Sequence, residues 1–361
     1  MFQYLKISVV TITLSLILFF SMKLIMQPLE NEVNKNIVTI GFMGDVMLGR
    51  LVNETIKTEG YEYPWGNLLN VVKENNINII NLETTFTTSE KKIPKVFNFK
   101  SDPQNAEVLK KANITVANMA NNHSLDFSSE GFFDTIQALD NADILHVGAG
   151  KNQEEAKKAV IIQQNDLKIG IIGYTDNEPT WLATKEKAGT NYVKVGDIEK
   201  IKKDIQEVRN KVDILIATIH WGPNMRSKPS PDFINFAHQM IDVGIDIIHG
   251  HSAHVTQGIE IYKNKIIMYD TGDFVDDYAV DSDLRNDLSF LFKIAIENKK
   301  IKEVNLIPVK IGNMQVNIAV GNDKKLIVDR MIKFSKELGT YFNENVNGLS
   351  LKLQKLNYFL H

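Results

Sequence analysis

Three short segments place imidazoles, amide oxygens and carboxylates directly after apolar runs. The clearest is Ile245-Asp246-Ile247-Ile248-His249-Gly250-His251-Ser252-Ala253-His254, a β-branched run ending in a glycine turn flanked by histidines. A second run over residues 212–219 ends in His220-Trp221-Gly222, and a third over 114–117 leads into Asn118-Met119-Ala120-Asn121-Asn122-His123. Five of the eight histidines fall in these three segments. Open α/β sheets place their sites at the carboxyl ends of buried parallel strands, so this clustering points to a metal centre assembled from strand-end loops.

Two more strand ends add carboxylates. Gly44-Asp45-Val46-Met47-Leu48-Gly49-Arg50 places Asp45 just past an apolar run, and Asn81-Leu82-Glu83-Thr84 does the same for Glu83. Alone, Asp45 reads more readily as a helix cap than as a ligand, and Glu83 alone is a weak signal. Together with Asn122, His220, His251 and His254 they form a ligand set for one or two divalent cations, with manganese, iron and zinc all compatible. Asp126 follows His123 at a spacing that lets it orient the ring. His249 reads either as a spare ligand or as a hydrogen-bonded strand-end residue, while His146 and His238 read as structural. Residues 270–287 carry many polar side chains before a strand, which suits a site-lining loop or a solvated one equally. Within it, Arg285 is the candidate for gripping a substrate carboxylate or phosphate bidentately. Trp221 is the aromatic candidate for lining the same cleft.

The elements that must position these groups follow from periodicity. Apolar runs at 37–43, 77–82, 114–117, 144–147, 212–219 and 245–248 alternate with helical patterning at 48–58, 68–75, 106–112, 129–141, 198–210 and 232–243. Asp102 is expected to cap the helix at 106–112. Asn165-Asp166 reads as the turn of a β-hairpin. After His254 the texture changes to antiparallel pairs at 257–269 and 288–310, and an amphipathic helix closes the pattern at 326–338. The class is α/β, layered as a sandwich. The domain is expected over residues 37–320 and a helical C-terminal extension over 321–361.

Composition limits the partners. A 361-residue chain with 43% hydrophobic and 24% charged residues is globular, and a net charge of −3 without a basic tract gives no case for nucleic acid. Cysteine is absent, so neither disulfides nor thiolate ligands contribute. Residues 7–26 are almost unbroken apolar sequence with Lys23 near the end, long enough to span a bilayer, and no small-x-small cleavage pair follows. An uncleaved membrane anchor over 1–26, a polar linker over 27–36 and an extracytoplasmic domain are therefore expected.

Taken in order, Gly44-Asp45-Val46-Met47-Leu48-Gly49-Arg50, Asn81-Leu82-Glu83, Ala120-Asn121-Asn122-His123, His220-Trp221-Gly222 and Gly250-His251-Ser252-Ala253-His254-Val255 resemble the motifs of the CapA family, associated with capsular poly-γ-glutamate synthesis. More distantly they resemble the calcineurin-like metallophosphoesterases. The resemblance implies a four-layer α/β/β/α metallophosphoesterase-like sandwich behind an N-terminal transmembrane helix. It also implies that Asp45 and His254 hold one metal, that Asn122, His220 and His251 hold the second, and that Glu83 bridges them. His123 would then be an acid or substrate-orienting imidazole. Poly-γ-glutamate or another anionic substrate, the membrane and membrane-bound capsule synthase subunits are the implied partners; a hydrolase acting on phosphoesters or γ-glutamyl amides is the rival reading. One departure stands out. Metallophosphoesterases carry histidine two residues after the first aspartate, where this chain has Met47, a poor ligand for a hard cation.

Overall fold

A computed structural model describes residues 37–353. The expected anchor over 1–26, the linker over 27–36 and the last residues, 354–361, lie outside the described residues. Among the described residues no helix is long and apolar enough to cross a membrane.

The β-branched runs form strands of two sheets. Four strands run parallel and side by side: β1 (Ile37–Val46), β2 (Ile77–Leu82), β3 (Val116–Asn118) and β4 (Leu145–Val147). The chain then builds a second sheet from β5 (Val160–Gln164), β6 (Leu167–Thr175), β7 (Ile214–His220), β8 (Ile247–His251), β9 (Ile259–Tyr262) and β10 (Lys265–Met268). It returns to the first sheet as β11 (Asp273–Val275), β12 (Leu288–Glu297), β13 (Lys300–Gly312), β14 (Gln315–Ile318), β15 (Asn343–Asn345) and β16 (Gly348–Lys352). Spatial order in the first sheet is β15-β16-β13-β12-β1-β2-β3-β4, with β11 on β1 and β14 on β13. The second runs β9-β10-β8-β7-β6-β5, and the hairpin β5–β6 turns at Asn165-Asp166 as expected.

Packing shows the layers. Ile40 and Phe42 of β1, Ile77 and Ile79 of β2 and Val116 of β3 share one buried cluster with Ile169, Ile171, Ile214, Ile216 and Ile247 of the second sheet. The opposite face of the first sheet, with Val46, Ile80 and Leu82, packs on α1 (Arg50–Glu59), α2 (Ala106–Lys111) and α3 (Ser128–Asn141). Leu215, Ala217 and Ile248 face α4 (Ile198–Arg209) and α5 (Pro231–Asp242) on the other side. Helices therefore cover the outer face of each sheet, and the sheets cover one another.

Two expectations need correction. Asp102 makes no capping bond; it precedes a 3₁₀ turn over Pro103–Asn105 and pairs with Lys57 at 3.3 Å, because Pro103 starts the turn one step before the α-helix. The C-terminal segment is not helical throughout. Helix α6 (Gly321–Glu337) buries Ile327, Val328 and Met331 in the inter-sheet core, and β15 and β16 then form a hairpin that extends the first sheet against β13. Leu349 and Leu351 alternate into that same core, which is a strand period rather than a helical one.

The period of two also explains where the polar groups go. On β7, Ile214 and Ile216 point between the sheets, so Thr218 and His220 continue on that inner face. On β8 the inner face reads Ile247, His249, His251. Thr218 lies opposite His249 and His220 opposite His251. On the first sheet Asp45 lies beside Asn81 on one side and Asp273 on the other, and Asn81 lies beside Asn118. The inter-sheet space is thus apolar along most of its length and polar at the carboxyl ends of the strands.

Strand β1 reaches that register through an irregularity between Phe42 and Asp45. There Gly44 approaches the β11 return so closely that a Cβ would lie 1.7 Å from the Gly272 carbonyl oxygen. The Asp45 amide donates to that same oxygen at 2.9 Å. Gly44→Ala is therefore expected to destabilise the protein by about 1–3 kcal/mol, the usual range for overpacking, measured by urea unfolding. A variant as stable as the parent would show that the close approach does not hold Asp45 in place.

Candidate metal centre

Asp45 is completely buried at the end of β1. Its Oδ1 accepts from Asn81 Nδ2 at 2.7 Å and lies 3.8 Å from His220 Nδ1 and 3.9 Å from His251 Nδ1. Its Oδ2 lies 3.4 Å from His254 Nδ1. Burial alone would push the pKa of this carboxyl up, but bonds and charge from His254, His220 and Asn81 outweigh it and hold Asp45 ionised.

The surrounding amides fix Asn81. Asn118 donates to its Oδ1 at 2.9 Å and Asn121 at 3.2 Å, while Asn121 also donates to the Leu82 carbonyl at 2.7 Å. With Oδ1 thus committed, Nδ2 is turned toward Asp45 and sits 3.1 Å from His220 Nδ1. Next to Asn121, Asn122 has its Oδ1 buried without a hydrogen-bond partner.

His220 and His251 bring their Nδ1 atoms to 3.0 Å from each other. Burial pushes His220 down to about 3 and His251 well below the usual imidazole range, so both are neutral and able to ligate. The second nitrogen of His251 is fixed by a relay. Thr218 Oγ1 sits 3.0 Å from His251 Nε2 and 3.1 Å from His249 Nδ1, and Thr271 Oγ1 sits 3.3 Å from His249 Nε2 while donating to the Gly250 carbonyl at 2.9 Å. One direction satisfies every group: His251 Nε2–H to Thr218, Thr218 to His249 Nδ1, His249 Nε2–H to Thr271. That direction leaves His251 Nδ1 with a free lone pair facing Asp45. His249 thus reads as the hydrogen-bonded strand-end residue, two side chains removed from the centre.

His254 arrives on a tight turn in which Ser252 and His254 both have positive φ, +118° and +60°. Asp270 holds the turn by accepting from Ala253 N at 2.7 Å and Gly272 N at 2.8 Å. His254 Nδ1 lies 2.8 Å from Asp273 Oδ1. Burial opposes a charge on this ring, but Asp273 and Glu83, with bonds to Asp273 and Asp45, raise it well above the usual range.

Glu83 is buried with neither oxygen bonded; burial first, then the Asp45 charge, pushes it well above the usual carboxyl range. Its Oε1 lies 3.8 Å from His220 Nε2 and 3.7 Å from His123 Nε2. Asp126 does orient His123: its Oδ2 accepts from His123 Nδ1 at 2.6 Å and from Phe99 N at 2.7 Å, and its Oδ1 pairs with Lys95 at 3.0 Å. Burial lowers His123 to about 4, so at neutral pH the ring is uncharged, with Nδ1–H on Asp126 and Nε2 left as an acceptor.

Asp45, Glu83, His123, Asp126, His220, His251 and His254 therefore converge. Arg285 and Trp221 do not join them. Arg285 is taken up by Asp287 at 2.7 Å and by Asp323 of α6 at 2.7 Å, which ties the loop to that helix. Trp221 packs among Phe233, Phe236 and Tyr269 on the helix side of the second sheet, its Nε1 donating to the Tyr269 carbonyl at 2.8 Å, because it follows His220 by one residue and so faces the opposite way. Two cations stand beside the centre, Lys95 on Asp126 and, at the close of the Gly-Asp motif, Arg50. Its guanidinium lies 4.7 Å from the Phe99 ring and 5.2 Å from the Tyr278 ring and pairs with Asp277. Those rings in turn lie 4.1 Å from His123 and 5.1 Å from His254.

Two groups of donors could hold a cation, Asp45 with His220 and His251, and Asp45 with His254 and Asp273; within each, the donor atoms lie within 4.8 Å of one another. Asp45, rather than Glu83, is the carboxylate common to both. Buried oxygens of Asp45, Glu83, Asn122 and Asp273 lack partners. Leaving such atoms unpaired costs about 1–3 kcal/mol each or more for a charged group, and a divalent cation would satisfy them. The donor set fits one.

Comparison with known proteins adds a lineage. The family model described as bacterial capsule synthesis protein PGA_cap matches residues 39–278. The "Capsule biosynthesis protein CapA" of Bacillus anthracis is 32% identical over 256 residues, covering 69% of this chain and 62% of that protein. The "PGA biosynthesis protein CapA" of Bacillus subtilis is 30% identical over 253 residues, covering 69% and 66%. A "Probable polyglutamine synthesis accessory protein" of Mycobacterium tuberculosis is 28% identical over 354 residues, covering 85% and 93%.

The relay through Thr218 is testable in a metal titration. Thr218→Val removes the acceptor for His251 Nε2–H with little change of shape and should weaken divalent metal binding about tenfold or more, while Thr218→Ser should restore it. Equal affinity in all three proteins would remove the relay from the account.

Proposed function

The chain belongs to the bacterial capsule synthesis protein family PGA_cap, and on that premise we propose that it is a membrane-anchored, extracytoplasmic accessory protein supporting poly-γ-glutamate capsule synthesis or export through a divalent metal centre. One observation carries the metal part: buried oxygens of Asp45 and Glu83 stand without partners beside His220, His251 and His254, and the Asn122 Oδ1 is likewise buried and unpartnered. These six residues would hold one or two cations. A bound cation supplies charge that polarises a phosphoryl or carbonyl oxygen and offsets the charge of a polyanion. The placement of these side chains at the carboxyl ends of strands from both sheets supports a metallophosphoesterase-like reading of the sandwich.

The remaining residues do ordinary work around that centre. Asp126 fixes the His123 tautomer so that Nε2 can take a proton from a group held near Glu83. Phe99 and Tyr278 wall the space beside His123 and His254, and Arg50 supplies a guanidinium at its exposed side. The His123–Asp126 pair is the specific observation favouring a second reading, in which the chain hydrolyses a phosphoester or a γ-glutamyl amide. Membrane attachment would come from residues 7–26, whose length and lack of a cleavage pair support an uncleaved anchor. A protein found in the membrane fraction with residues 7–26 still present by mass spectrometry agrees with it; a mature N-terminus beyond Met26 removes it.

Replacing two histidines separates the readings. His220→Ala should lose bound metal and abolish surface polymer in the organism that carries the chain, measured by metal analysis and by capsule γ-glutamate content. His123→Ala should leave metal nearly intact. If the site turns over substrate, His123→Ala should also cut the rate by roughly 100-fold, the lower range for a positioned acid or base. Polymer that survives His123→Ala but not His220→Ala assigns the centre to binding rather than catalysis. Polymer unaffected by both changes would end the capsule proposal.

A further inference from the structure

Building on the metal-centre reading above, we infer that Asp273 is a metal ligand standing in for the imidazole that Met47 fails to provide, so that the centre has one oxygen-rich position and one imidazole-rich position. The strand pairing makes this possible. β11 lies parallel to β1 with Asp273 in register beside Asp45, and neighbours in register on adjacent strands project to the same face. Met47 itself is buried, and its amide donates to the Val275 carbonyl of β11 at 2.8 Å. The strand that pairs with the deficient motif thus brings in the replacement.

The donor atoms are arranged for a cation rather than for a single hydrogen bond. His254 Nδ1 faces both carboxylates, at 2.8 Å from Asp273 Oδ1 and 3.4 Å from Asp45 Oδ2. A proton on that nitrogen is directed at one oxygen, and Asp45 Oδ2 and Asp273 Oδ2 are left buried with no partner. A carboxylate that merely orients a ligating histidine bonds the ring nitrogen remote from the metal. Here the nitrogen nearest both carboxylates is one and the same atom. The group Asp45, His254 and Asp273 offers two carboxylates and one imidazole, whereas Asp45, His220 and His251 offers one carboxylate and two imidazoles. Oxygen donors suit Mn²⁺ or Mg²⁺, and imidazoles suit Zn²⁺ or Fe²⁺, so the two positions should load different ions.

The test uses the full chain purified in detergent, stripped with chelator, given one equivalent of Zn²⁺ and then titrated with Mn²⁺. The expected result is one equivalent of each ion, with pulsed electron paramagnetic resonance of the Mn²⁺ reporting coupling to one imidazole nitrogen. In Asp273→His the same measurement should report two coupled nitrogens, and a second equivalent of Zn²⁺ added afterwards should displace the Mn²⁺. An orienting residue would give no second coupling, so one nitrogen in both proteins overturns the inference, as do two in the parent chain. Should Asp273→His fail to fold, Asp273→Asn decides: loss of Mn²⁺ affinity well beyond the roughly 100-fold that an orienting residue is worth, with the Zn²⁺ equivalent kept, supports the assignment, and a smaller loss overturns it. A parent chain that takes up no divalent ion at all defeats the metal-centre reading itself, a different outcome from failure of Asp273 alone.

Discussion

A carboxylate with no access to water must be balanced by whatever surrounds it, and Asp45 imposes that requirement on this protein. Its two oxygens face Asn81, His220 and His251 on one side and His254 on the other. Three of those groups are held in turn by buried polar neighbours. Asn118 and Asn121 fix the Asn81 amide, Thr218 fixes His251, and Asp270 pins the turn that carries His254. The irregularity in β1 and the close contact of Gly44 with Gly272 have the same end, since they set the depth at which Asp45 projects. Preorganisation here is built from short hydrogen bonds between neighbours in register, which is the precision that a strand-borne site permits and a loop-borne one does not.

The two sheets divide the labour along their length. Isoleucines, valines and phenylalanines fill the space between them over most of each strand, and this apolar burial supplies the favourable free energy of folding. At the carboxyl ends the same inner face turns to Asp45, Asn81, Asn118, Thr218, His220, His249 and His251, all buried. Polar groups so placed cost free energy unless bonded. Most are bonded to each other, and the exceptions gather around Asp45. Most of the unmet demand among the buried carboxylates is therefore located where the chemical capacity is, at Asp45, Glu83 and Asp273.

Much of this was legible in the chain. Apolar runs ending in Asp45, Asn81-Leu82-Glu83, Asn122-His123, His220 and His251 announced both the parallel strands and the convergence of their ends, because a strand that is buried on both faces has no other position for a polar side chain. What the sequence hid depends on pairing between distant segments. Asp273 joins the centre only because β11 returns to lie beside β1, and nothing within residues 270–277 distinguishes it from Asp270, Asp276 or Asp277. Arg285 looked free because its partner Asp323 follows on α6, well outside the loop. Trp221 fell on the wrong face by a single residue of strand phase. The C-terminal hairpin was missed because a short alternation at Leu349 and Leu351 after a helix carries little signal until β13 is available to pair with it.

The balance of charge bears on what could approach the centre. Arg50 is matched by Asp277 and Lys95 by Asp126, so neither cation offers a full charge to a ligand. Glu83, Asp273 and Asp276 are raised by burial first and then by neighbouring carboxylates, Asp45 acting on Glu83 and Asp273, and Asp273 on Asp276, the mark of a site crowded with acid groups. Carboxyls held toward their protonated form in this way add little negative charge of their own, and a divalent cation would take the place of those protons. Divalent cations at Asp45 and its neighbours would make the centre positive, and the neutral ring of His123 would add nothing to that charge. On the proposed function, the positive charge offered to an anionic polymer would therefore come from metal at Asp45 and its neighbours rather than from Arg50 or Lys95.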